Sequence, residues 1–166
     1  MRMRRAVILL IATVLLQVTV FTHLRVDGRV PDLGLIVAVA IAFDFGPEAG
    51  AIFGFFAGLG FDFFLETPLG LSALAYSLTA FGVGALQGGV LRTPRWFTPV
   101  IGAVSGIVGG LIFIGVGLLA GVEGVHGNAA FLTIAITSLY NALLAPFVFI
   151  VVGAWLRDPR DRVARF

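Results

Sequence analysis

Few side chains in this sequence are able to do chemistry, and most of them interrupt or end apolar runs. Asp62 is the most prominent. It follows Gly46, Gly50, Gly54 and Gly58 at intervals of four, and Glu66 follows it at the same interval. On an α-helix each step of four turns the position by ~40°, so this row forms a slowly winding ridge. Four glycines on the ridge make a groove that a neighbouring helix can enter. Asp62 lies one turn beyond the last glycine. Burying an ionisable group within a span costs ~3 kcal/mol or more, which makes such a residue a functional candidate. Two readings of Asp62 stand side by side. It is a hydrated or helix-capping carboxylate near the outer interface, or a polar anchor in the groove, paired with a partner or with Arg25 or Arg29. Asn141, next to Tyr140 in the last apolar run, is placed to hydrogen-bond across helices or to contact a ligand. Together with Glu66 it defines a candidate polar pocket, to which Tyr76 belongs unless it is core. Asp44 and Glu48 flank Gly46-Pro47 and read as solvated turn residues, with Glu48 near a helix N-terminus. Gln17 and Gln87 read as hydrogen-bonding residues between helices.

Enzymatic constellations are missing from the chain. There is no Cys, and the two histidines, His23 and His126, fall at or beyond the ends of apolar runs. Neither is placed to hold a metal or to activate a serine. Ser105 lies in Gly-Ala-Val-Ser-Gly, which lacks the G-x-S-x-G spacing of a nucleophile elbow. No G-x-x-x-x-G-K-[ST] loop is present, and no chain of buried charges of the kind an ion pump needs. The expectation is a non-enzymatic protein with no catalytic residue, metal or cofactor.

The elements that position these residues follow from composition. Of 166 residues 59% are hydrophobic and 12% charged, with mean hydropathy +1.06. A soluble domain carries about 25% charged residues, so this chain has too little polar surface to cover a water-soluble fold. Its 22 glycines suit helices that approach closely in lipid. All its basic residues are Arg, confined to segment ends, a distribution that sets topology and does not suggest nucleic-acid binding. Six spans are expected, at about 6–24, 33–45, 48–64, 71–91, 96–120 and 129–156, in a single transmembrane domain. The first is read as retained and not as a cleaved signal, because no A-x-A-like site follows it. The second and third are short, and a re-entrant hairpin over 33–61 is an open alternative. Six spans put Arg2, Arg4, Arg5, Arg92, Arg95, Arg157, Arg160, Arg162 and Arg165 on one side and leave Arg25 and Arg29 on the other. Five spans would reverse that balance, against the positive-inside rule. Both termini are therefore expected in the cytoplasm. Trp96 and Trp155 fall at cytoplasmic span ends, where interfacial aromatics belong. Gly102, Gly106 and Gly110, like Gly84 and Gly88, repeat the four-residue spacing, which points to a tightly packed all-α bundle.

With these residues in view, the chain resembles the MreD family of rod shape-determining membrane proteins of the bacterial cell-elongation machinery. The resemblance rests on Pro31-Asp32-Leu33, the Gly46-Pro47 break, Gly50, Gly54 and Gly58 leading to Asp62, Pro68-Leu69-Gly70-Leu71, and Tyr140-Asn141 with Pro146. It covers nearly the whole chain. It implies a scaffold in the bacterial inner membrane with MreC, RodA, penicillin-binding protein 2 and MreB as partners. Members of the family are similar in fold to the substrate-binding S components of energy-coupling-factor transporters, which makes a vitamin-like solute-binding subunit the alternative. The expected site is a groove of Gly46, Gly50, Gly54, Gly58 and Asp62 that docks a partner helix such as that of MreC. A cytoplasmic face of Arg92, Arg95, Arg157 and Arg160 is expected to meet anionic lipid or MreB.

Overall fold

The computed structural model describes residues 3–21, 30–64, 68–89, 94–122 and 128–156. Every regular element among them is helical. Helix α1 (Met3–Leu16) runs on into a π-helical turn at Gln17–Phe21. It is followed by α2 (Leu33–Phe45), α3 (Pro47–Asp62), α4 (Leu71–Gly89), α5 (Thr98–Leu119) and α6 (Asn128–Leu156). A 3-10 turn at Arg95–Phe97 leads into α5. Of the first expected span, residues 22–24 lie outside the described residues.

Helix α2 is the hub. Its residues from Leu33 to Ala42 are all buried, enclosed by α3, α4, α5 and α6. A helix that is apolar on every side has to be surrounded in this way. Its alanines and its Gly34 let the neighbours come close. Asp32 starts it as N-cap, accepting the Leu35 N–H at 3.1 Å. Gly46 ends it, with φ +100° and its N–H donated to the Ala42 carbonyl at 3.0 Å. Pro47 then opens α3 at its first position, where its missing N–H costs nothing. The Gly-Pro break legible in the sequence is therefore the end of one helix and the start of the next.

Both of these helices are short. At 1.5 Å per residue, the 13 residues of α2 and 16 of α3 reach ~20 and ~24 Å, less than the ~30 Å of a hydrocarbon core. By contrast, α5 and most of α6, over Thr98–Leu119 and Ala129–Leu156, are long and apolar enough to cross a membrane. Only 28% and 22% of their most apolar windows are buried inside the molecule. A core helix of a soluble protein would be mostly enclosed. Here Leu111, Leu143, Phe147 and Ile150 instead point outward, and the outside of the bundle is apolar.

Glycines set the spacing between packed helices. On α5, Gly102 faces the Asn141 backbone of α6, Gly106 faces Ser138 and Gly110 faces Ile134. Gly84 on α4 faces Pro47, and Gly109 faces Leu35. The tight packing expected from the four-residue glycine spacing is what these contacts show.

Candidate functional site

Polar groups converge at the ends of α2, α3 and α4 remote from the Gly46 break. Asp62 closes α3 and is 2% exposed. Its carboxylate accepts the N–H of Gly70 at 2.7 Å, of Ser72 at 3.1 Å and, more weakly, of Ala73 at 3.5 Å. These are amides at the start of α4, which have no partner within their own helix. Gly70, at φ +100°, turns the chain so that they face back to Asp62. The positive end of α4 adds a favourable interaction with the carboxylate. Of the two readings that the sequence left for Asp62, helix capping is the geometry found, and the helix it caps is the following one.

A second set lies around the start of α2. Gln17 donates through Nε2 to the Pro31 carbonyl at 2.7 Å and accepts the Leu33 N–H on Oε1 at 2.8 Å. Asn141, fully buried in α6, accepts the Asp32 N–H on Oδ1 at 3.0 Å. That bond fixes which end of the amide is which. The Tyr76 hydroxyl of α4 donates to the Asp32 carboxylate, and Thr137 Oγ1 donates to the Val30 carbonyl at 3.4 Å. Side chains from the π-helical turn after α1, from α4 and from α6 thus satisfy the polar start of the hub helix. Two buried atoms, Asn141 Nδ2 and Ser138 Oγ, have no partner among the described residues. Helix α6 begins at Asn128, so it continues for ~20 Å beyond the level of Asn141.

The glycine groove has occupants from this same chain. Gly50 faces Ala42 of α2, Gly54 faces the Tyr76 carbonyl of α4, and Gly58 faces the backbone of Ser72 and Ala73. A Cβ on Gly54 would stand 2.9 Å from that carbonyl oxygen. Gly46 does not belong to the groove; it sits in the break, and nothing lies within 4 Å of where its Cβ would be. The expected opening for an outside helix along Gly50, Gly54 and Gly58 is filled by α2 and α4. The spacing was a packing signal, and the neighbours that answer it are intramolecular.

A family model for the rod shape-determining protein MreD matches residues 2–157, nearly the whole chain. The chain belongs to the MreD family. Searches of curated proteins and of solved structures found no match. Membership of the MreD family implies a membrane protein with a role in rod shape determination. Among the described residues, no group of three His, Cys, Asp or Glu is placed to hold a metal ion.

Within this MreD-family fold, the structure brings together Gln17, Asp32, Tyr76 and Asn141, and separately Asp62 with the start of α4. Gln17 bonds between helices as its isolated position in an apolar run suggests. Asp32 entered the sequence reading only through Pro31-Asp32-Leu33 of the family resemblance, although an Asp that follows Pro31 and precedes an apolar run fits an N-cap. Glu66, Arg25, Arg29, Arg92, Arg157 and Arg160 lie outside the described residues, and Arg95 opens the 3-10 turn before α5. The expected pocket of Glu66 with Asn141 therefore falls partly outside the described residues. Of the phenylalanines on α3, Phe53 and Phe61 are core, whereas Phe55 and Phe56 face outward, as do Phe63 and Phe64 just beyond its end.

Proposed function

We propose that this chain is a non-enzymatic scaffold of the cell-elongation complex, passing six times through the bacterial cytoplasmic membrane with both ends inside. The family match over residues 2–157 carries this reading. The alternating, antiparallel order of the six helices and the apolar exterior of α5 and α6 support it, as does the one-sided placement of Arg. The single transmembrane helix of MreC is the partner expected to dock on it, with RodA, penicillin-binding protein 2 and MreB in the wider assembly. Since α2 and α4 fill the glycine groove, the docking surface is sought on the outer ridge of α6. There Leu139, Leu143 and Phe147 recur every four residues, 62%, 67% and 74% exposed, the spacing that packs into a facing helix.

Co-purification tests the reading. The wild-type chain in detergent is expected to retain MreC, and a Leu143→Ala, Phe147→Ala double variant to lose most of it. Undiminished recovery of MreC by the folded variant would place docking elsewhere. Failure of the wild type to retain any elongation protein would remove the scaffold reading itself.

One observation favours a second reading, a membrane subunit that binds a small solute. In the polar cluster at Asp32 and Asn141, Asn141 Nδ2 is a buried donor with no partner among the described residues. Saturable binding of a vitamin-like solute to the purified chain, abolished by Asn141→Ala, would establish it. Absence of binding across such a panel leaves the scaffold reading alone.

A further inference from the structure

At the opposite end of the bundle, α4 and α5 do not close against each other. Between them, beside the end of α2, lies a half-open cleft of about 180 Å3, bordered by Phe43, Val83, Leu86, Phe97, Val100 and Val104. Gln87 is the one polar side chain in its lining, and its walls are otherwise apolar. Leu86, Val100 and Val104 are each about half exposed, so the cleft opens on the outside of the bundle, the surface that faces hydrocarbon. A helix, ~10 Å across with its side chains, is too thick to enter a space of this volume. An acyl chain is thin enough.

The end of the cleft carries the marks of headgroup depth. The 3-10 turn Arg95–Phe97 lies there, and Trp96 sets its ring edge-on to Phe97 with centroids 5.7 Å apart. Trp96 is 76% exposed, and an outward Trp beside Arg belongs at the level where hydrocarbon meets water. Helix α5 starts in the same place, at Thr98, with its positive end toward the turn. Arg95 in the sequence of the turn and the start of α5 together favour negative charge at the mouth of an apolar slot.

We propose that this cleft binds an anionic phospholipid of the surrounding bilayer, with an acyl chain between α4 and α5 and the headgroup phosphate at the Arg95 turn. A zwitterionic lipid offers the same chain without net charge, so it enters less readily. The site goes beyond the scaffold reading and needs only a membrane setting.

The chain carries its own reporter, since Trp96 and Trp155 are its two tryptophans. In a Trp155→Phe background, Trp96 fluorescence is measured in phosphatidylcholine nanodiscs containing phosphatidylglycerol brominated on its acyl chains. Quenching is expected to saturate at a low mole fraction of brominated phosphatidylglycerol. Brominated phosphatidylcholine should need a several-fold higher fraction to match it. Arg95→Gln should bring the two curves together, and Val104→Phe, which fills the cleft, should reduce both to the level of bulk lipid. Leu86→Phe serves as the second filling variant, and circular dichroism shows that each variant is folded. Quenching that rises linearly and equally for both lipids overturns the site. A preference for phosphatidylglycerol that survives Arg95→Gln overturns the assignment of the headgroup.

Discussion

Asp62 ties the end of α3 to the start of α4. Its carboxylate is buried, and the amides it receives would have no water to turn to if it were removed. Leaving them bare costs more than losing an ordinary surface cap. Asp62→Leu is therefore expected to destabilise the purified chain by about 2–3 kcal/mol and Asp62→Asn by about 1 kcal/mol. Unfolding in mixed detergent, followed by circular dichroism, measures both. Asn141 works differently, because one end of its amide is bonded and the other has no partner among the described residues. Asn141→Ala removes that donor along with a used acceptor, so its cost should stay near 1 kcal/mol. These roles were partly visible beforehand. A lone Asp or Asn in an apolar run announces that it has a task, since burial without one is expensive. Which backbone it serves depends on the helix brought opposite, and nothing local to Asp62 says that it caps α4.

At the scale of elements, the glycine rows separate close packing from open surface. A Cβ on Gly58 would run into the backbone of Ala73, whereas one on Gly82 meets nothing within 4 Å. Gly58→Ala should then cost about 2–3 kcal/mol, as overpacking against a rigid neighbour does. Gly82→Ala should be neutral or stabilise by up to ~1 kcal/mol through helix propensity. Equal melting temperatures for the two variants would contradict the packing described. The comparison also shows why the groove was legible and its occupant was not. Spacing of four along one helix declares a smooth face, whatever comes to fill it. The choice among α2, α4 and an outside helix is a matter of tertiary arrangement. The Gly46-Pro47 break lies at the other extreme, for both of its signals are local: a residue free to adopt positive φ, then one that can only start a helix. The polar start of α2 was harder to read, as Gln17, Asp32, Tyr76 and Asn141 are scattered over four segments.

On the scale of the whole molecule, the first helix and the last are clasped. Arg5 donates to the Trp155 carbonyl at 3.1 Å, and the Trp155 indole donates to the Arg5 carbonyl at 3.2 Å. This holds the described beginnings and ends of the chain at one end of the bundle, with the α2–α3 turn at Gly46 and the start of α5. The turn between α3 and α4 lies at the other end. Because the sequence has no Cys, single cysteines report sidedness without background. A membrane-impermeant maleimide added outside is expected to label Leu69→Cys, in the exposed turn before α4, and to leave Glu48→Cys untouched until the membrane is opened. Labelling of both from the same side would contradict the six-pass topology.

The enclosure of α2 bears on how the protein is made. The hub leaves the ribosome after α1, yet α4, α5 and α6, which form most of its walls, are synthesised after it. Until they arrive, a helix too short to span the hydrocarbon has only α1 and α3 beside it, and the polar group at its start lacks Tyr76 and Asn141. Insertion and assembly must therefore be decoupled, with α2 held provisionally while translation proceeds. A chain stopped after residue 122 would keep the glycine face of α5 but lose α6, and it should be cleared by membrane quality-control proteases far faster than the full chain in a pulse-chase experiment. Supplying residues 123–166 as a separate polypeptide should restore its lifetime, because what the truncated chain lacks is a missing wall and not a missing signal.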